Sequence, residues 1–331
     1  MARTYDVTTI GSAIVDIIAT VDEEFLLAHN IPRGVMTLID EQRAHKLQLA
    51  LPEKREIAGG SAANTMAGLA SLGAKGAFAG KVRADRLGEV FSASMTELGV
   101  HYATPMAKGG PATGSCLIAV TPDGQRSMST YLGANREFSA ADLNESEVTA
   151  AEILYIEGYL WDAPLAKEAS IRAMNAAKKA STKIAFTMSD PFLVDRYRGE
   201  FIDMIRNGTL DIVFANEEEA KSLFLVDSFD EVFQAMHGWH GTAALTRSEK
   251  GCVIAQRDEV HVIDAAAVLR VVDTTGAGDQ FAAGFLYGLT HQLSLADSGR
   301  LGAVAAAEVI SHYGARPEVS LKKLAASQRL V

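Results

Sequence analysis

The chain has 331 residues, of which 48% are hydrophobic and 22% charged, so it holds enough apolar residues for one large core or two smaller ones. Its formal net charge is −10, and an acidic chain without a basic stripe repels a phosphate backbone, which argues against nucleic acid as a partner. The two cysteines, Cys116 and Cys252, are too few for a disulfide framework or a zinc cluster and indicate a reducing compartment.

The apolar stretch near the N-terminus, residues 10–21, is interrupted by Asp16. It has no convincing basic segment before it and no cleavage site after it, so we expect neither a signal peptide nor a membrane span. The sequence therefore favours a cytoplasmic protein without a membrane partner.

Short β-rich runs alternate with longer helical segments along most of the chain. The predicted strands of a central sheet are residues 5–11, 77–82, 153–158, 183–188, 211–215 and 243–246. The predicted helices are residues 61–72, 86–98, 165–180, 217–224 and 229–239. This alternation predicts an α/β fold, a single three-layer α/β/α domain over residues 1–331 with a mostly parallel central sheet.

Two pairs of β-rich runs break this rhythm. Residues 13–21 with 34–40, and residues 112–121 with 126–132, are typical of β-hairpins rather than of strand–helix–strand units. The second pair is joined by the strong turn sequence TPDG at 121–124. We therefore expect a small β-sheet, formed from roughly residues 13–40 and 112–134, that projects from the main domain as a lid.

The most informative motif is DTTGAGD at 273–279, which follows a strand-like run at 268–272 and precedes a helical segment. A small-residue turn at a helix N-terminus points backbone N–H groups at an anion. Asp279 would repel a bound phosphate, but it suits a base that takes a proton from a hydroxyl attacking that phosphate. The alternative is a helix N-cap whose glycines serve packing.

Two further features accompany this motif. GGSAAN at 59–64 opens a helix rich in small residues, with Asn64 in its crowded first turn. Asp16 lies in an apolar run, where burying a lone carboxylate costs several kcal/mol unless it is paired or functional. An aspartate and an asparagine can together bind adjacent hydroxyls of a sugar. The alternatives are a capped helix for Asn64, and an ion pair or an exposed edge for Asp16.

Together, GGSAAN and DTTGAGD resemble the two signatures of the ribokinase-type (PfkB-like) carbohydrate and nucleoside kinases, and the resemblance covers essentially the whole chain. It implies a ribokinase-like fold and ATP-dependent phosphorylation of an alcohol group. By resemblance, Asp279 is the catalytic base and the backbone of Gly276, Ala277 and Gly278 forms an anion hole. The same resemblance implies that the acceptor is bound by Ser12, Asp16, Gly59, Gly60, Asn64 and Tyr131.

The same resemblance covers the nucleotide and metal sites. Asn216 and Glu219 match an Asn-x-x-Glu motif that organises magnesium and phosphate, although acidic residues at a helix start often only complement the helix dipole. Ser248 replaces the first glycine of a nucleotide-binding Thr-x-Gly-x-x-Gly motif at 246–251. Asp273 and Thr275 match a monovalent cation site, which suggests potassium. The expected nucleotide-binding residues are Asn216, Thr246, Ser248, Gly251, Gly276, Gly278 and His312.

Within the family, the stretches at 125–134, 157–161 and 314–317 resemble adenosine kinases more than sugar kinases. Arg126 matches a basic lid residue that approaches the phosphates, and we count it with the catalytic residues. Aromatic and apolar side chains could form a flat slot for a purine, or could instead belong to the lid and the domain core. These candidates are Met36, Tyr131, Tyr159, Trp161 and Phe192.

We therefore expect purine salvage by phosphorylation of adenosine to AMP, in a monomer or a homodimer joined through the lid. A kinase of ribose, fructose or 2-keto-3-deoxygluconate is the alternative within the family. A non-catalytic nucleoside-binding protein would lack Asp279 or the anion turn. A serine hydrolase would need the Gly-x-Ser-x-Gly motif, but residues 59–63 have Ala63 in place of its last glycine. Neither a dinucleotide-binding Gly-x-Gly-x-x-Gly nor a Walker motif is present.

Overall fold

The computed structural model describes residues 3–236 and 238–331, so His237, within the predicted helix 229–239, lies outside the described residues. The strands are β1 (Tyr5–Ile10), β2 (Ile14–Thr20), β3 (Met36–Leu38), β4 (Lys54–Gly59), β5 (Gly76–Ala79), β6 (Gly114–Val120), β7 (Arg126–Tyr131), β8 (Ala151–Glu157), β9 (Lys183–Thr187), β10 (Ile212–Asn216), β11 (Thr242–Thr246), β12 (Cys252–Gln256) and β13 (Glu259–Ile263).

Helices connect most of these strands. They are α1 (Glu23–Ala28), α2 (Glu41–Ala50), α3 (Ser61–Leu72), α4 (Arg86–Glu97), α5 (Glu145–Thr149), α6 (Pro164–Ala180), α7 (Pro191–Arg206), α8 (Glu217–Phe224), α9 (Phe229–Ala235), α10 (Ala277–Thr290), α11 (Leu295–Val309) and α12 (Leu321–Ser327). Within the described ranges, none of these helices is both long enough and apolar enough to cross a membrane.

The larger sheet has the strand order β13-β12-β11-β10-β9-β8-β1-β5. Six neighbouring strands of this sheet run parallel, namely β11, β10, β9, β8, β1 and β5. Strands β12 and β13 pair antiparallel at the edge beside β11. Alternate residues of the central strands enter different cores, as a sheet covered on both faces requires. Ile153 and Tyr155 of β8 join the core that includes α3, α10 and α11, while Leu154 and Ile156 join the core that includes α6 and α7. The predicted three-layer α/β/α arrangement is confirmed.

One strand-like run before the DTTGAGD motif was interpreted wrongly. Residues 268–272 form no strand: Leu269 and Val271 are exposed, and the N–H of Val272 bonds to the carbonyl of Ile310 beyond α11. The β-branched residues there indicated a strand, but the segment joins neither sheet. The antiparallel pair β12 and β13 was not predicted.

The smaller sheet has the order β3-β7-β6-β2-β4. The antiparallel hairpin of β6 and β7 forms around the turn at 121–124, as the sequence indicates. The expected hairpin of residues 13–21 with 34–40 does not form. Strand β2 pairs instead with β4 and β6, while β3 pairs parallel with β7 at the far edge. Both edges of β2 are therefore already occupied, which the local sequence could not reveal.

Close helix packing places the first turns of α3 and α10 next to each other. A Cβ on Gly68 of α3 would collide with the side chain of Gln280 of α10. On its other side α10 meets α11, where a Cβ on Gly284 would lie 2.6 Å from the carbonyl oxygen of Leu301. Small residues at these points allow α10 to lie between its two neighbours.

This packing can be tested with two helical glycines. Gly284→Ala should lower the free energy of unfolding by about 1–3 kcal/mol, the usual effect of overpacking a filled core. Gly199→Ala is the matched control, because Gly199 is exposed in α7 and its added Cβ would have no atom within 4 Å. The control should be neutral or stabilise by about 0.5–1 kcal/mol. Urea unfolding measures both, and equal effects would contradict the close packing.

Candidate active site

A cavity of about 510 Å³ lies between the carboxyl ends of the parallel strands and the smaller sheet. The larger sheet contributes residues that end or follow its strands, among them Glu157, Asn216 and Thr246. The smaller sheet contributes Asp16 from β2 and an apolar surface from its other strands. The carboxyl edge of an open α/β sheet is where such folds bind ligands, so this cavity is the candidate active site.

The wall of the cavity at residues 274–279 is the turn that starts α10. Gly276 is the N-cap in a left-handed conformation (φ 80°), and a Cβ there would lie 2.7 Å from Cα of Ala315. A Cβ on Gly278 would meet nothing within 4 Å, so backbone is exposed to the cavity at that point. The first N–H groups of a helix lack intrahelical acceptors, and this turn can therefore hold an anion.

The carboxylate of Asp279 is held by the facing helix α3. Oγ of Ser61 donates to Oδ1 at 2.6 Å, and Nδ2 of Asn64 donates to Oδ2 at 3.1 Å. Burial raises the pKa of Asp279 to about 7, although these two donors act in the opposite direction. A carboxylate with a pKa near neutrality, beside an anion-binding turn, is suited to accept a proton.

Asp16 faces the same cavity from the centre of the smaller sheet. Burial raises its pKa to about 6, against the opposing charges of Arg126 and Arg316. A Cβ on Gly59 would lie 2.6 Å from Oδ2 of Asp16, so the glycine leaves room for the carboxylate. Ser12, Gly60 and Asn64 also line the cavity, so four of the predicted acceptor-binding residues come together there, whereas Gly59 lies behind Asp16 and outside the lining.

Glu157 is a site residue that sequence reasoning missed. Its buried carboxylate accepts bonds from the backbone N–H groups of Ser12 and Ala62, both at 2.8 Å, and from the hydroxyl of Ser12. Burial raises its pKa, while these donors lower it. Asn135 donates to the same hydroxyl at 3.0 Å, so Ser12 is engaged within the protein. The available signal was a glutamate at the end of the buried run 153–158.

Arg126 forms a buried ion pair that joins the smaller sheet to the anion turn. Its Nη1 lies 2.5 and 2.6 Å from the two carboxylate oxygens of Asp273 and also contacts Oγ1 of Thr275. Burial alone would raise the pKa of Asp273, but bonds from the N–H groups of Gly314 and Thr275 and the charge of Arg126 hold it below its usual range.

This ion pair bears on two expectations. The residues expected to bind potassium, Asp273 and Thr275, already hold a guanidinium, so they do not fit a monovalent cation while Arg126 is in place. Arg126 engages Asp273 and Thr275 through Nη1 alone, so the approach of this residue to a phosphate stays a prediction.

Asn216 and Glu219 form a reciprocal cap at the start of α8. Oδ1 of Asn216 accepts the N–H of Glu219 at 2.8 Å, while Glu219 accepts from the N–H and Nδ2 of Asn216, both at 2.9 Å. Burial raises the pKa of Glu219 to about 7. Residues 3–236 and 238–331 contain no cluster of three acidic, histidine or cysteine ligands. One carboxylate beside a cavity nevertheless fits a magnesium ion carried mainly by nucleotide phosphates.

The remaining nucleotide candidates divide between the cavity and its surroundings. Thr246 lines the cavity. Ser248 and Gly251 lie beyond it, both with positive φ (52° and 80°), so Ser248 keeps the left-handed backbone that a glycine would favour. His312 also lies outside the cavity, with Nε2 3.2 Å from Oε1 of Glu308.

The expected purine slot is only partly present. Met36, Tyr159 and Phe192 line the cavity and are partly exposed. Tyr131 does not, because alternation along β7 turns it to the opposite face, where its hydroxyl donates to Glu41 at 2.7 Å. Trp161 is buried in the core against Phe186 and Phe201. The expectations for Tyr131 and Trp161 are thus corrected.

A parallel α/β domain with an anion-binding turn beside a half-buried carboxylate is suited to phosphoryl transfer to small molecules. The pfkB family carbohydrate kinase model matches residues 6–322, and the chain belongs to this family. The recognition made from the two motifs is confirmed, and the chain is a kinase.

Two solved structures resemble the whole chain. A probable sugar kinase protein from Rhizobium etli CFN 42 is 46% identical with a TM-score of 0.92 and complete coverage of both chains. Adenosine kinase from Sinorhizobium meliloti is 45% identical with a TM-score of 0.91, covering 98% of this chain and 99% of its own. Ribokinase from Haemophilus influenzae is 26% identical, over 80% of this chain and 85% of its own length. These similarities support a kinase of sugars or nucleosides with ATP as co-substrate.

The Arg126–Asp273 pair makes a prediction about monovalent cations. Arg126→Gln should lower the free energy of unfolding by about 3–5 kcal/mol, because it leaves a buried carboxylate without its partner. Potassium, compared with tetramethylammonium at equal ionic strength, should then raise the melting temperature of the variant more than that of the parent.

The matched control is Arg86→Gln, since Arg86 is 60% exposed in its ion pair with Glu56. An exposed pair contributes about 0–1 kcal/mol, and no potassium response is expected there. A strong potassium response in the parent protein would contradict the view that the guanidinium occupies this place.

Proposed function

We propose that the protein is an adenosine kinase that transfers the γ-phosphoryl group of ATP to the ribose 5′-hydroxyl, giving AMP and ADP. The observation that carries the proposal is one cavity lined both by the polar side chains of Asp16 and Asn64 and by the aromatic side chains of Tyr159 and Phe192. A ribose fits the first set and a purine the second. The 45% identical relative from Sinorhizobium meliloti, described as an adenosine kinase, supports the same reading.

In the proposed reaction, Asp16, Gly60 and Asn64 hold the ribose so that its 5′-hydroxyl lies near Asp279. Asp279 takes the hydroxyl proton as the oxygen attacks the phosphorus. The N–H groups of the 276–278 turn receive the charge that develops on the transferred group. These donors are fixed by the fold before the substrates arrive, so they need no reorganisation during the reaction.

Charge on the nucleotide must be met locally, because the chain as a whole is acidic. Magnesium would be held through Glu219 and Asn216, and when bound it supplies positive charge to the phosphates. Burial leaves the ionised form of Glu219 unfavourable without a cation, since its pKa is raised to about 7.

The smaller sheet is proposed to act as a lid over the acceptor within one domain spanning residues 1–331. Its apolar inner wall would exclude water, which otherwise competes with the acceptor hydroxyl for the phosphoryl group. Arg126, at the start of β7, would secure this sheet to the turn before α10.

A sugar kinase is the second candidate. Asp16 and Asn64 address hydroxyl groups and carry no information about a base. A 46% identical relative is described as a probable sugar kinase protein, and a ribokinase also matches most of the chain. The apolar wall of the cavity is the feature that favours adenosine.

Replacing Asp279 tests its proposed role as the base. Asp279→Asn should lower turnover roughly 10²- to 10⁴-fold, the range for a positioned acid or base. In the parent, kcat/KM should rise with pH through about 7, since the base must be ionised and burial raises the pKa of Asp279 to about 7. Initial rates of ADP release across pH measure both effects. Near-parent turnover in the folded variant would refute this role.

A stability control accompanies this test. The folded-state pKa of Asp279 lies above that of an unfolded aspartate, so the parent loses stability as pH rises between about 4 and 7. Asp279→Asn has no ionisable group at this position, so its free energy of unfolding does not fall for this reason. Its stability relative to the parent should therefore increase over that window, and its unfolding transition at the assay pH checks that the variant is folded where turnover is measured.

The relative activity on different acceptors distinguishes an adenosine kinase from a sugar kinase. One aromatic contact with a purine contributes about 1–3 kcal/mol, so kcat/KM for adenosine should exceed that for ribose or fructose by roughly five- to 150-fold. Phe192→Ala should reduce this preference, whereas Tyr131→Ala should not, because Tyr131 faces α2. The assay couples ADP release to a panel of adenosine, inosine, guanosine, ribose, fructose and 2-keto-3-deoxygluconate. A free sugar as the best acceptor would refute adenosine and leave the kinase assignment intact.

A further inference from the structure

Asn64 is held at three points. Its Nδ2 donates to Asp279 at 3.1 Å, and its Oδ1 accepts from Nε of Arg316 at 3.3 Å. Its backbone carbonyl accepts from Nε2 of Gln280 at 2.9 Å, and Gln280 also bonds to the carbonyl of Ala315. The segment that follows α11 therefore contacts the side chain of Asn64 directly through Arg316, and reaches its backbone through Gln280 of α10.

Arg316 has few other partners in this position. Its Nη1 donates to Oγ of Ser94 at 2.8 Å, while its buried Nη2 has no hydrogen-bond partner among the described residues. Burial lowers the pKa of Arg316 to about 10, against the charge of Asp16. Burying a guanidinium with an unmet donor is unfavourable, so packing alone would favour an apolar side chain here.

The chemistry of the Asn64 amide explains why a guanidinium is useful at position 316. Asn64 can present either its oxygen or its NH₂ group to Asp279, and the oxygen would repel the carboxylate. A guanidinium has donors and no acceptor, so it can pair with the oxygen end alone. An arginine on one side and a carboxylate on the other leave one favourable orientation for the amide.

We propose that Arg316 is a positioning residue for phosphoryl transfer, which orients the Asn64 amide so that its NH₂ group donates to Asp279. This inference rests on the proposed role of Asp279 as the base. Arg316 does not itself touch the reacting atoms; it acts through Asn64.

The charge state of Asp279 reports this role. The groups that face it are Ser61 and Asn64 from α3, Glu157 at the end of β8 and Asp16 from β2. The two carboxylates raise its pKa and the two donors lower it. Removing Arg316 should release the amide, weaken one donor and raise the pKa of Asp279 further.

The experiment is a carbon-13 NMR titration of the full-length protein labelled at aspartate carboxyl carbons. The signal missing from Asp279→Asn identifies Asp279. In Arg316→Met, which keeps a long side chain without a donor, the titration midpoint of this signal should move to higher pH. Arg316→Lys, which keeps a cationic donor, should lie nearer the parent. Arg300→Met is the matched control, because Arg300 is exposed and pairs with Asp297 on α11.

Kinetics provide a second readout. Loss of a hydrogen bond to a charged group should lower kcat of Arg316→Met roughly 10- to 100-fold at pH 7. The deficit should shrink as the pH rises, because more Asp279 is then ionised.

An unchanged Asp279 midpoint in folded Arg316→Met would overturn the proposal, as would a lysine variant no nearer the parent than the methionine variant. If Arg316→Met does not fold, Ser94→Ala carries the test, since it removes only the 2.8 Å bond to the guanidinium. Ser94→Ala should also move the Asp279 titration midpoint to higher pH, but by a smaller amount than Arg316→Met. An unchanged midpoint would again overturn the proposal. The titration is made without a phosphoryl acceptor, so its result stands even if adenosine is not the substrate. The role of Asp279 as the base is tested separately, because turnover of Asp279→Asn equal to that of the parent would refute that role alone.

Discussion

The carboxylate of Asp279 lies half-buried where the first turns of α3 and α10 meet, and several contacts around it hold this one charge. Donors from Ser61 and Asn64 must reach it, so the two helices must approach closely. Glycine at position 68 permits that approach, and Gly284 permits the same between α10 and α11. A buried carboxylate without such donors would remain protonated at neutral pH and could not act as a base.

Charge balance around the cavity follows from the same constraint. Carboxylates from both sheets and from the 273–279 turn converge on one site in an already acidic protein. Two buried guanidiniums offset them: Arg126 pairs with Asp273, and Arg316 reaches Asn64 while opposing the charge of Asp16. Gly314 and Ala315 connect these two places along one short segment. Under the proposed function, arriving nucleotide phosphates would meet guanidiniums that are already engaged within the protein, so their charge would require a cation of its own.

The sequence by itself determined the family, the order of the main elements and the residues of the two motifs. These depend on local chemistry: a small-residue turn before a helix exposes N–H groups wherever it occurs, and the alternation of strands and helices predicts a parallel sheet. Because parallel strands end at one edge, Asn216 and Thr246 could be placed at the same edge of the sheet from the sequence. Asp16 and Asn64 could be paired in the same way, from the chemistry of sugar hydroxyls.

Only the tertiary structure decided which distant groups meet. A one-residue step along β7 turns Tyr131 away from the cavity, and Trp161 fills a core rather than a slot. The pairing of β2 with β4, rather than with β3, depends on which edges remain free after the sheet assembles. Arg126 and Asp273 are 147 positions apart in the chain, so their ion pair has no local signature. Such contacts depend on long-range packing, which the spacing of residues in a sequence does not encode.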